Sequence, residues 1–221
     1  MRVIHRLPAT AALLVAVLSL GVAQGTWTAP ARVAHAAAGD PAAIRACQFS
    51  GPEVWLTFDD SVKGNIVQIL GEYDVRGIFF PTGSFARRYP GEVAKAIDAG
   101  HLVGNHSDTH PRLTALSDSA VLAEIDGGVR GTETPGLLRP PYGAYDARIV
   151  DLAASRGYRL CTWTVASGDS GGASAAQIIE NAAKLRSGGV FILHPNAAHT
   201  AEALPGVIAA IRANGLTLAP L

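Results

Sequence analysis

The chain has 221 residues, enough for one substantial domain with a sizeable core. Hydrophobic residues make up 48% of it and charged residues 16%, which excludes wholesale disorder. The formal net charge is +0 and no basic run stands out, so nothing favours a nucleic-acid partner.

The first segment reads as an export signal. Arg2, His5 and Arg6 precede the apolar run Ala11 to Val22, which is short for a membrane span. Ala34-His35-Ala36-Ala37-Ala38 then offers small-residue cleavage sites. Residues 1–38 are predicted to be a secretory signal peptide, residues 39–53 a short lead-in and residues 54–221 the domain. The expected product is secreted, extracellular or wall-associated, with no stable membrane span after cleavage. Removal of the leader takes away Arg2, Arg6 and Arg32, leaving 15 basic against 18 acidic side chains, a net charge of −3. Cys47 and Cys161 both lie in the exported part, where oxidising conditions predict a disulfide between them.

From Val54 the chain alternates. Apolar, β-rich runs occur at Val54–Phe58, Gly77–Thr82, His101–Asn105, Leu137–Arg139, Arg159–Val165, Gly189–Leu193 and Leu216–Leu218. Helical spacing fills roughly 63–73, 90–99, 117–130, 146–156, 174–186 and 201–213, with helix-stop glycines at Gly100, Gly157, Gly188 and Gly215. Such alternation predicts an α/β fold with a parallel sheet and helices outside it. A closed β/α barrel and an open doubly wound sheet both place chemistry at strand C-termini, and periodicity does not choose between them.

The polar residues collect at those ends. Thr57-Phe58-Asp59-Asp60 closes the first strand. Neighbouring side chains on a strand point to opposite faces, so both aspartates reach one site only if the pleat breaks there. His106-Ser107-Asp108-Thr109-His110 puts two imidazoles four positions apart, on one face if the segment turns helically. Two histidines and a carboxylate are a facial ligand set for zinc or a similar ion. In Leu138-Arg139-Pro140-Pro141-Tyr142-Gly143 two prolines stiffen a turn that could aim one backbone N–H. Trp163-Thr164-Val165-Ala166-Ser167-Gly168-Asp169-Ser170 carries one further carboxylate, and Phe191-Ile192-Leu193-His194-Pro195 ends a buried strand on an imidazole. His199 nearby reads as a surface residue.

Together these segments resemble the polysaccharide deacetylase family, carbohydrate esterase family 4, with its NodB homology domain. The resemblance covers roughly residues 52–221 and implies an incomplete (β/α)7 barrel, NodB-like, as a single domain after the signal peptide. It implies Asp59 as catalytic base and Asp60, His106 and His110 as ligands of Zn²⁺ or another divalent metal. Arg139 would steady Asp59, and the Tyr142 main-chain N–H would help hold the oxyanion. His194 would protonate the leaving amine, with Asp169 orienting it and raising its pKa. Ala166 and Ser170 depart from the family's Asp-x-x-Asp-Trp pattern, Ile192 replaces a leucine, and Ser61 stands where glycine is usual. The implied activity is metal-dependent removal of acetyl groups from an N-acetylglucosamine-containing polysaccharide partner, such as peptidoglycan or chitin oligosaccharides. Three alternatives stand beside it: a secreted carbohydrate-binding pseudoenzyme, an O-deacetylase acting on acetyl xylan, and a glycosidase that would leave His106 and His110 idle.

Overall fold

The structure is a computed structural model and describes residues 44–45 and 47–221. The predicted signal peptide lies outside the described residues, and the lead-in falls within them only in part. Among the described residues seven strands appear in chain order: β1 (Trp55–Asp60), β2 (Gly77–Pro81), β3 (Leu102–Val103), β4 (Gly136–Leu138), β5 (Tyr158–Leu160), β6 (Val165–Ala166) and β7 (Val190–Leu193). The helices are α1 (Ile66–Glu72), α2 (Gly83–Arg88), α3 (Pro90–Asp98), α4 (Asp118–Gly127), α5 (Ala147–Ser155), α6 (Ala175–Ala182) and α7 (Thr200–Ala213).

All ladders are parallel. One sheet has the order β3-β2-β1-β7-β6, and β4 pairs with β5 in a second. A single bridge between Asn105 and Leu138 joins the β3 end of the first sheet to β4. Both faces of the central strands are covered, which explains their unbroken apolar character: every residue of β2 and of β7 is buried. Helix starts follow local chemistry. The Asp146 side chain accepts from the Ile149 N–H to cap α5, and Ser174 forms a capping box with Gln177 at the start of α6. Gly100, Gly157 and Gly215 follow the caps of α3, α5 and α7 with φ of 87°, 78° and 71°, as their helix-stop reading requires.

The structure differs from the expected elements in three places. The run Arg159–Val165 is not one strand but β5 and β6 in different sheets, because tertiary partners take its middle. The Cys161 and Thr162 carbonyls accept from Arg139 at 3.2 and 2.8 Å instead of continuing a ladder. The run Leu216–Leu218 contributes only a bridge from Leu218 to Val54. Helix α2 has no counterpart in the sequence reading; it is a short turn capped by Thr82, whose side chain accepts from the Phe85 N–H at 3.2 Å. No helix among the described residues is long and apolar enough to cross a membrane.

Cys47 and Cys161 are bonded, as expected, across a separation of 114 residues. On the chain-entropy account such a crosslink stabilises by about 4–5 kcal/mol through the unfolded state. Cys47→Ser should therefore lower the urea midpoint substantially and remove its sensitivity to reductant. An unchanged midpoint in that variant would show that the bond does not restrain the unfolded chain.

Candidate metal and catalytic site

β1 delivers two carboxylates to one place by a backbone break. Asp59 is buried at 3% exposure, and Asp60, the last residue of the strand, has φ of 70°. That left-handed turn is costly for a residue with a Cβ, and it rotates Asp60 out of the alternating pleat toward the side Asp59 already faces. The expected break is therefore present, at Asp60 itself.

His106 and His110 converge without the helical turn that would have put them on one face. Ser107 and His110 adopt φ of 60° and 66°. Two side chains hold this turn: Asn105 Oδ1 accepts from the Ser107 N–H at 2.8 Å, and Ser107 Oγ accepts from the His110 N–H at 3.0 Å. The ring centroids end 4.8 Å apart, edge to face.

One ligand atom from each of Asp60, His106 and His110 lies within 4.8 Å of the others, the only such metal-capable group among the described residues. Both imidazole Nε2 atoms lie 3.5 Å from Asp60 Oδ1. His106 Nδ1 is 2.7 Å from the Arg139 carbonyl, which can only accept, so Nδ1 carries the proton and Nε2 presents its lone pair inward. Three acceptor atoms thus face one point, an arrangement suited to a divalent ion, with a carbonyl fixing one imidazole from behind. The protonation balance agrees. Burial pushes the His110 pKa down, with His106 adding to it, so the ring is neutral at pH 7. Burial works against the Asp60 carboxylate, yet the facing histidines outweigh it and hold the pKa below its ordinary value.

Behind Asp59 sits Arg139, fully buried. Its guanidinium donates from Nη1 to Asp59 Oδ1 at 2.8 Å and to Thr57 Oγ1 at 2.7 Å. Nη2 reaches the Thr162 carbonyl and the Cys161 sulfur, Nε reaches the Cys161 carbonyl, and the group lies 4.2 Å from the Phe80 ring centroid. All its donor directions are used, which a buried guanidinium requires.

The loop after Arg139 forms a tight turn. The Gly143 and Ala144 N–H groups donate to the Pro140 and Pro141 carbonyls at 3.0 and 3.1 Å, and the prolines have no N–H. Tyr142 sits at φ of 62°, and its N–H finds no acceptor among the described residues. Gly143 must be glycine twice over. Its φ is 62°, and a Cβ there would come 2.7 Å from Trp163.

On the opposite wall, Asp169 gathers five donors. Oδ1 accepts from Ser167 Oγ, the Ser170 N–H and His194 Nδ1 at 2.7, 2.7 and 2.9 Å. Oδ2 accepts from the His194 N–H and Thr200 Oγ1 at 2.6 and 2.7 Å. Burial opposes the charged form of Asp169, yet the hydrogen bonds from His194, Thr200 and Ser167 hold its pKa below the usual carboxylate value. For His194 burial likewise disfavours charge, but the Asp169 hydrogen bond and the Asp169, Asp59 and Asp60 charges prevail and raise its pKa above 6.5.

All eight residues singled out in the sequence meet here, most of them lining one cavity of about 450 Å³; Arg139 lies behind its wall. Trp163 also lines it, an aromatic wall for which the sequence alone suggested no role. Its signal was position: it follows Arg139's carbonyl partners Cys161 and Thr162. His199 is exposed and pairs with Glu202 at 3.1 Å, as a surface residue should.

Comparison with known proteins gives concordant matches. A family model described as polysaccharide deacetylase matches residues 47–161, which includes Asp59 through Tyr142 but not Asp169 or His194. The peptidoglycan-N-acetylmuramic acid deacetylase PdaA of Bacillus subtilis (strain 168) is 29% identical over 181 residues, covering 74% of this chain and 68% of that protein. A chitooligosaccharide deacetylase of Azorhizobium caulinodans is 29% identical over 196 residues, covering 76% and 92%. A solved family 4 carbohydrate esterase from Streptomyces lividans, in complex with acetate, is similar with TM-score 0.70 at 32% identity, covering 76% of this chain and 92% of that one.

Proposed function

The chain belongs to the polysaccharide deacetylase family, and on that premise we propose that it is a secreted, metal-dependent enzyme that hydrolyses N-acetyl groups on an N-acetylglucosamine-containing glycan. The observation that carries this reading is the convergence of Asp60, His106 and His110 beside a second, separately held carboxylate, Asp59. The strand order β6-β7-β1-β2-β3, continued through the Asn105–Leu138 bridge to β4 and β5, supports an incomplete seven-stranded barrel with this cavity at its C-terminal rim.

Asp60, His106 and His110 would hold the ion, with Zn²⁺ the best match to two nitrogens and one oxygen. Bound there, a divalent ion supplies Lewis-acid polarisation of the acyl carbonyl and acidifies the attacking water. Asp59 takes the proton from that water. Arg139 keeps Asp59 aimed, since the buried carboxylate has a charged donor at 2.8 Å. The Tyr142 N–H, left over by its proline turn, donates to the oxyanion as the carbonyl carbon becomes tetrahedral. His194 gives its proton to the departing sugar amine, and Asp169 holds the imidazole by Nδ1 so that Nε2 faces the cavity. Products are acetate and a free amino sugar in a chain of unchanged length.

The His194 role has a pH signature. The acid must be protonated, so kcat/KM falls as pH rises through its pKa, and the raised value places that fall above pH 6.5. In Asp169→Asn the main cause of the upward shift is gone while burial remains, so the alkaline limb should move to lower pH. A limb at the same pH in that variant would remove His194 from the role of acid. The whole reading is tested by acetate release from N-acetylglucosamine oligomers with product length checked by mass.

A further inference from the structure

Tyr142 has a second feature that the chemistry above does not use. Its side chain is 59% exposed, one of few large hydrophobic side chains left open, and it stands at the cavity mouth. One neighbour is the His110 ring, edge to face with centroids 4.7 Å apart. The other is Arg112, whose guanidinium lies 5.0 Å from the Tyr142 ring centroid. Three surface arginines are neutralised, Arg87, Arg148 and Arg156, which pair with Asp108, Asp118 and Asp126. Arg112 is exposed and makes no ion pair among the described residues. An exposed tyrosine with an unpaired guanidinium stacked on its ring is suited to a sugar that carries a carboxylate, the sugar packing on the exposed part of the ring and the carboxylate meeting the arginine. The cavity lining includes Asp59, Asp60 and Asp169 and no lysine or arginine, so Arg112 beside Tyr142 supplies a cation that the lining lacks.

We propose that Arg112 and the exposed Tyr142 ring form a rim subsite for a carboxylate-bearing sugar next to the residue being deacetylated, so that an acidic glycan is preferred to a neutral chitin-type oligosaccharide. The inference rests on the reading of the cavity as a glycan site. The carboxylate could belong to the lactyl ether of a wall glycan or to a uronic acid, and both present the same group to the guanidinium. Arg112 acts here as a specificity residue, touching the neighbouring sugar rather than the reacting atoms.

The test compares three ligands on the zinc-loaded chain: an N-acetylglucosamine hexamer, stem-free peptidoglycan strands with free lactyl carboxylates, and hyaluronan oligosaccharides. Binding is read by stopped-flow tryptophan quenching ahead of turnover, and acetate release is followed separately. At least one acidic glycan should bind about tenfold more tightly than the hexamer, in a salt-sensitive manner. Preference for the peptidoglycan strands over hyaluronan, or the reverse, identifies the carboxylate's source. In Arg112→Gln the acidic-to-neutral ratio should fall toward one, and Arg112→Lys should restore part of it. Equal binding of all three ligands overturns the proposal. So does an Arg112→Gln chain that binds both classes more weakly with the ratio intact, since Arg112 would then only prop the tyrosine ring. Absence of acetate from every substrate counts against the deacetylase reading instead, and leaves the binding ratio measurable.

Discussion

Asp59→Asn should reduce acetate release by about 10²- to 10⁴-fold, the usual loss when a positioned general base is removed. The substitution is close to isosteric, and the asparagine carbonyl can still accept from Arg139 where Asp59 Oδ1 does now. Asp60, His106 and His110 are untouched, so stoichiometric metal uptake should persist in the inactive variant. Near-normal turnover in that variant would falsify the assignment of Asp59 as base. Loss of metal together with activity would instead make Asp59 a ligand, a role that its 3.6 Å separation from His106 Nε2 makes geometrically open.

Arg139→Met should have a large effect on stability. The side chain is wholly buried, and its removal strands the Asp59 carboxylate, the Thr57 hydroxyl and two backbone carbonyls at once. Removing one partner of a buried pair typically costs 3–5 kcal/mol, about as much as breaking the disulfide. Burial lowers the Arg139 pKa while Asp59 opposes that shift, consistent with a charge held in place by its partner. Urea unfolding of Arg139→Met, Asp59→Asn and the double variant separates the terms. Part of the loss should return in the double variant, because the unpaired carboxylate is gone. If the single losses simply add, the two side chains do not stabilise each other.

Much of the site was legible because its residues sit at strand ends that apolar runs make obvious. Asp59 and Asp60 follow Val54–Phe58, and His194 follows Phe191–Leu193, so a parallel sheet brings them to one rim. The local backbone was not legible. Left-handed φ is ordinarily signalled by glycine, yet here Asp60, Ser107, His110 and Tyr142 adopt it. For the histidine pair the turn is tied by Asn105 and Ser107, two polar side chains with no distinctive spacing. The break between β5 and β6 was invisible for another reason: it depends on Arg139, some twenty residues earlier, reaching the Cys161 and Thr162 carbonyls. Long-range side-chain bonds of this kind override β propensity and leave no local mark. Ala166 and Ser170, which depart from the family pattern, line the same cavity as Trp163, which gives it an aromatic surface.

The central claim is that Asp60, His106 and His110 hold the ion on which deacetylation depends. The most direct measurement takes the purified chain, strips it of metal, and follows acetate release from N-acetylated oligosaccharides as Zn²⁺ is added back. The expected result is no acetate without metal, full recovery near one equivalent, and product oligomers of unchanged length. Acetate release that survives complete removal of metal would contradict it, as would oligomers that become shorter.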